Sequence, residues 1–246
     1  MLFAEKNNPD SKKDVLIVDE LNPIDEKYQG CTSLTKKCKH DKDENGMLRT
    51  NECPPCCRKH IRDICFYVSD LFTEFDIAHW MDFGTLVGAA REGGVLTWDK
   101  DADFGIFEED IFKVKNLVHR IKKDGFWLDL RYREPGPADA PESLMRIRRN
   151  ETNRNFVDLF PWRNNKGIMK SRFGKNIPKK FPSYFVEKFS KVTLHGKPIN
   201  APYDTEKFLE FRFGNWKQPE RRWHRESVMK LNEITEYCES QGWEKS

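Results

Sequence analysis

The chain predicts a mixed α/β fold, a sheet with flanking helices behind an N-terminal cysteine-rich loop. Three observations predict it. Apolar residues recur at three and four positions through Ile61, Ile64, Val68, Leu71, Phe72 and Phe75, and again through Ile111, Val114, Val118 and Ile121, the period of helices with one buried face. Residues 101 to 107 alternate acid and apolar side chains at period two, as a half-buried strand does, and further strand-like segments follow the helices. Six of the seven cysteines fall between Cys31 and Cys65, a density that calls for a metal site or a disulfide framework.

Taken in order, residues 1–30 are polar without an apolar period and read as a flexible arm. Residues 31–57 are too polar to fold around a core of their own and need a crosslink. Residues 58–246 make the one sizeable domain that this length allows. Its first helix runs to about Phe75 with Cys65 on the buried face. Residues 79–84 read as a short strand and 85–91 as a turn entering a brief helix, where Gly84, Gly88, Gly93 and Gly94 let backbone pass closely. The next helix opens at about Glu108 with three acids in its first turn, and Gly125 follows its end. Residues 126–133, 144–149 and 156–160 read as strands. Asp204 offers an N-cap to a helix that Gly214 closes, and a last helix spans about 226–239.

Charge is balanced overall, 43 Lys and Arg against 40 Asp and Glu, which gives no case for wholesale binding to nucleic acid or membrane. The one strongly basic stretch runs from Arg163 to Lys191 with Glu187 as its single acid; it is either a solvated insertion or a surface for a phosphorylated acceptor. No run of about 18 apolar residues exists, and the opening MLFAEKNNPDSKKD has neither a signal-peptide apolar region nor an anchor. The expectation is a soluble globular protein. Asn150-Glu151-Thr152 is an N-glycosylation acceptor sequence that matters only in the secretory pathway.

Residues two apart on a strand share a face at roughly 6 to 7 Å, so Asp101 and Asp103 converge, joined by Asp99 if the strand reaches that far. Carboxylates so placed repel unless a cation neutralises them. Magnesium or manganese meets that need with oxygen ligands and brings phosphate with it. The plain alternative is a solvent-facing edge strand. Upstream, FGTLVGAAREGG sets Gly84 as a close backbone approach, Thr85 as a hydroxyl donor and Arg91 as a cation for a phosphate. Asp158, embedded in NFVDLFPW, needs a buried partner and is a natural third metal ligand. Arg146 and Arg148 present guanidinium groups either to a diphosphate or to structural ion pairs.

The blocks MDFGTLVGAAREGGVLTWDKDADFGIF, NFVDLFPW and FLEFRFGNWKQP resemble the LicD and fukutin group of nucleotidyltransferase-fold phosphotransferases, over about Cys53 to Pro219. The resemblance implies a nucleotidyltransferase-like sheet. It makes Asp101 and Asp103 the family's Asp-x-Asp, gives Asp158 a metal-ligand role, and leaves Asp99 as the general base or, equally, a further metal ligand. It further implies a CDP-linked donor and a glycan hydroxyl as acceptor, with CMP released; the alcohol phosphate is ribitol phosphate in the fukutin branch and phosphocholine in many bacterial relatives. Cys31, Cys38, Cys56 and Cys57 resemble the zinc-binding loop of the fukutin branch, although CPPCC also permits Cys53 with Cys56, and disulfides compete. The resemblance implies the Golgi lumen and leaves a homo-oligomer open. Two rivals stand beside it: a catalytically silent relative that binds glycans or a partner, and a zinc-dependent nucleic-acid binder, disfavoured because aromatics do not interleave with the basic residues.

Overall fold

The apolar period of residues 61–72 is realised as a 20-residue helix, α1 (Pro55–Glu74), whose Ile61, Ile64, Cys65, Val68, Leu71 and Phe72 are all buried. Phe75 falls past the helix end and is 40% exposed, the one member of the predicted stripe that the core does not take. A computed structural model describes residues 55–131, 144–150, 155–171, 180–218 and 228–245. The predicted arm and nearly all of the cysteine-rich segment, with Cys31, Cys38 and Cys53, lie outside these.

Seven described strands form one mixed sheet. β1 (His79–Met81) pairs antiparallel with β2 (Ala102–Phe107), which pairs parallel with the long β5 (Phe156–Asn165). On the other side of β5, β4 (Leu144–Arg148) runs antiparallel and is itself paired antiparallel with β3 (Trp127–Arg131). The far half of β5 pairs with β6 (Ile168–Ser171), and β6 with β7 (Lys180–Pro182). A separate hairpin of β8 (Phe189–Leu194) and β9 (Lys197–Pro202) packs on β1. α1 lies over β4 and β5, and α2 (Phe83–Glu92) over β2 and β8. The predicted mixed sheet with flanking helices is the architecture found.

Four element boundaries differ from expectation, each for a local reason. The first strand stops at Met81, because Asp82 is already the N-cap of α2: its Oδ1 accepts the Phe83 N–H at 2.8 Å. The helix expected from Glu108 is a 3₁₀ turn followed by two short helices, α3 (Ile111–Asn116) and α4 (Val118–Lys123), broken at Leu117. β5 continues past the expected stop at Phe160 through Pro161. That proline falls between the β4 ladder, which ends at Leu159, and the β6 ladder, which starts at Trp162, so its missing N–H interrupts neither. Asp204 precedes α5 (Thr205–Phe213) at φ +49° without a side-chain cap; its carboxylate instead accepts the Tyr237 hydroxyl at 2.5 Å. Gly214 at φ +64° closes α5 as expected, and the last helix, α6, is Leu231–Ser240.

Candidate metal and phosphate site

The register of the sheet assembles the site. Asp129 of β3 lies opposite Arg146 of β4, Arg146 opposite Asp158 of β5, and Asp158 opposite Asp103 of β2. Directly opposed residues share a face, so one row across four strands reads acid, base, acid, acid. Asp101, in the bend just before β2, adds a further carboxylate. Ligand atoms of Asp101, Asp103 and Asp158 all lie within 4.8 Å of one another. The three carboxylates that were expected to share a cation are therefore together, and the alternative of a solvent-facing edge strand does not hold: β2 sits between β1 and β5.

Their electrostatics are strained. Burial raises the Asp103 carboxyl well above the ordinary range, with Asp101, Asp158, Asp99 and Asp82 adding to the rise. Burial, then Asp158, pushes Asp101 up to about 6 against the pull of Arg146. Asp99 is pushed up to about 8 by burial, then by Asp101 and Glu92. The neutralising group at hand is Arg146, whose Nε and Nη2 donate to the two oxygens of Asp158 at 2.6 and 2.9 Å. A carboxylate oxygen has a lone pair to spare beyond one N–H, so this fork orients Asp158 without blocking it as a metal ligand. Acids clustered with one cation fit a hard divalent ion such as Mg²⁺ or Mn²⁺, whose oxygen ligands these are.

Between the two roles open to Arg146 and Arg148, the structure shows the ion pairs. Arg148 reaches Asp129 at 2.7 Å and both are buried. α2 approaches from β1 and brings its first turn against the cluster. The Thr85 hydroxyl accepts the Asp103 N–H at 2.8 Å, and a Cβ on Gly84 would stand 2.8 Å from Asp99 Oδ2. Only glycine lets the helix end come this near the acids. Arg91 stacks on Trp98 at 5.5 Å and donates to the carbonyls of Trp216 at 3.3 Å and Gln218 at 3.0 Å, tying the segment after α5 to the loop that carries Asp99. Of the expected zinc ligands, Cys57 alone has a described side chain, and it is buried at the start of α1. In the basic stretch, Arg163 is paired with Glu108 at 2.6 Å and residues 172–179 lie outside those described.

Three residues near the site escaped the sequence reading. Asp82 is fully buried and its N–H donates to the Asp103 carbonyl at 3.0 Å; its place between a strand and the FGT turn was the legible signal. Arg212, fully buried in α5, faces it. His195, in the hairpin turn, accepts the Val95 N–H on Nε2 at 3.0 Å and packs on Gly94, supporting the loop toward Asp99. Burial, with Arg62 and Arg58 nearby, lowers its pKa and keeps that ring nitrogen an acceptor.

Residues 76–204 match the family model described as LicD/FKTN/FKRP, nucleotidyltransferase domain. The chain is 30% identical over 166 residues to the ribitol 5-phosphate transferase FKRP of Homo sapiens, covering 65% of this chain and 32% of that protein, with the same figures for the Mus musculus protein. It is 22% identical over 171 residues to the mouse ribitol-5-phosphate transferase FKTN, covering 68% of this chain and 35% of the relative. The matched region thus spans about a third of the length of these curated relatives. Among solved structures, a lincomycin-bound lincosamide antibiotic adenylyltransferase, LnuA, is 17% identical with a TM-score of 0.38, covering 60% of this chain and 83% of its own.

Proposed function

This chain belongs to the LicD/FKTN/FKRP nucleotidyltransferase family, and on that footing we propose that it is a metal-dependent phosphotransferase. It moves an alcohol phosphate, ribitol 5-phosphate, from a CDP-linked donor to a glycan hydroxyl and releases CMP. The observation that carries the reading is the cluster of Asp101, Asp103 and Asp158, three carboxylates within 4.8 Å that fit a divalent cation. The two relatives named ribitol 5-phosphate transferases support the choice of alcohol phosphate.

The three aspartates would hold Mg²⁺ or Mn²⁺, which when bound would supply Lewis-acid stabilisation to the donor diphosphate. Arg146 orients Asp158 through its two-nitrogen fork. The first turn of α2, at Gly84 and Thr85, turns helix N–H groups toward phosphate oxygens, which no partner within the helix can reach. Asp99 is positioned to take the proton of the acceptor hydroxyl, and its raised pKa, about 8, falls toward the working range once cationic charge is nearby. The acceptor oxygen bonds to the phosphorus that carries ribitol, and the bond from that phosphorus to the oxygen of CMP breaks.

Incubating the chain with a panel of CDP-alditols and CDP-choline, with and without Mg²⁺ or Mn²⁺, and measuring CMP tests this directly. Metal-dependent CMP release from CDP-ribitol is the expected result. Release from CDP-choline alone would replace the alcohol, and absence of any metal-dependent nucleotide binding by calorimetry would overturn the enzymatic reading.

A further inference from the structure

α5 carries one arginine into the core. Arg212 is 0% exposed, and among the described residues none of its three guanidinium nitrogens has a hydrogen-bond partner. Rings surround it: Phe83 at 4.6 Å, Phe208 at 5.2 Å, Trp162 at 5.6 Å and Phe181 at 5.8 Å. Its charged neighbour is Asp82, also 0% exposed, with Nη2 at 3.7 Å from Oδ1. A guanidinium held in an aromatic cage and aimed at a buried carboxylate is costly to desolvate, which makes its position informative.

Asp82 joins three structures at once. Its N–H continues the β1 to β2 ladder to the Asp103 carbonyl, its Oδ1 caps the Phe83 N–H, and its carbonyl accepts the Leu86 N–H at 3.1 Å as α2 begins. The residue that follows, Phe83, sits at φ +43°, a left-handed conformation that a bulky side chain adopts only when its surroundings hold it there. The surroundings include the Asp82 cap, the Phe160 ring at 4.9 Å and the Arg212 guanidinium over the Phe83 ring. Two residues on, Thr85 takes the N–H of Asp103. Both peptide polar groups of a metal-site aspartate are therefore held by the strained turn that Arg212 and Asp82 lock.

We infer that Arg212 is a positioning residue for the carboxylate cluster, acting through Asp82 and the Phe83 turn rather than by touching metal or donor. The inference rests on the proposed metal site and adds a residue to it that lies on a distant element. A cation belongs here because the cap that fixes the turn is a buried carboxylate, and Arg212 is the charged side chain set against it at 3.7 Å. A neutral cap with a neutral neighbour of similar length satisfies the same geometry.

The test is Mn²⁺ affinity of the whole chain, measured by titration at low temperature on samples whose circular dichroism matches the parent. Arg212→Met is expected to weaken Mn²⁺ at least tenfold, and Asp82→Asn/Arg212→Met to recover affinity to within about threefold, since asparagine still caps. Asp82→Ala/Arg212→Met, equally free of buried charge but without the cap, is expected to stay at least tenfold weak. The two double variants decide the matter even where Arg212→Met alone does not fold. Equal affinities for the Asn and Ala doubles, or a folded Arg212→Met with parental affinity, would overturn the inference while leaving the metal site standing. Failure of the parent chain to bind Mn²⁺ removes both.

Discussion

Single residues at this site do opposite electrostatic work. Asp101 and Asp103 are held where ionisation is unfavourable, so their charge serves something that arrives from outside. Replacing either by asparagine is expected to cut Mn²⁺ affinity and CMP release more than about 100-fold, beyond the range usual for groups that only orient a ligand. Calorimetry and nucleotide chromatography on the same samples check this. Arg146 works the other way. Arg146→Met leaves Asp158 buried without its fork, and the expected cost is about 3–5 kcal/mol of stability, read by urea denaturation. A loss under about 1 kcal/mol would mean that the fork contributes little to the fold.

At the level of elements, β2 is the member on which the site depends. It is paired on both edges, parallel to β5 and antiparallel to β1, and it carries Asp103 at one end. Gly105 is the reason it can lie flat against β1: a Cβ there would meet the Trp80 ring at 2.1 Å, and that indole is fully buried. Gly105→Ala is therefore expected to destabilise the fold by at least ~1–3 kcal/mol through overpacking, with a matching fall in the urea midpoint. Gly88 plays the corresponding part in α2, where a Cβ would stand 2.5 Å from the Gly94 carbonyl. The hairpin β8–β9 adds His195 to the same loop, so an element 100 positions away joins α2 in holding the few residues before Asp99.

For the molecule as a whole, the cluster of buried acids acts against stability, and the proposed cation would relieve it. A carboxyl whose folded pKa lies above its ordinary value adds stability that is complete below that ordinary value and is lost as pH rises through the folded one. Asp99, raised to about 8, loses its share progressively from about pH 4 upward, and the stretch from about pH 7 to 8.5 holds the last part of that loss. In that window His60, His79 and His195, all lowered by burial, are largely neutral in both states. The melting temperature of the metal-free chain is expected to fall from pH 7 to 8.5, Asp99→Asn to flatten that fall, and saturating Mg²⁺ to raise the whole curve by binding the folded state alone. A flat profile for the parent chain would remove Asp99 from the buried cluster. No helix among the described residues is long and apolar enough to cross a membrane.

Much of this was readable in one dimension because the relevant physics is local. The period of α1, the alternation through Asp103, the glycines in and just after α2 and the order of strands follow from steric preferences and from which face meets water, and both are written in neighbouring residues. The convergence of Asp101 with Asp103 belongs to the same class. What neighbours cannot specify is partnership across strands. Asp158 stands beside Asp103 because β2 and β5 pair in parallel at that register, and Arg146 and Arg148 turn to Asp158 and Asp129 because β4 lies between β5 and β3. Asp82 gave up its place in a predicted strand to cap α2, and Arg212 drew no notice within FLEFRFG. A lone arginine among aromatics has no local period to announce it; its meaning comes from a buried carboxylate 130 positions earlier that only folding brings to 3.7 Å.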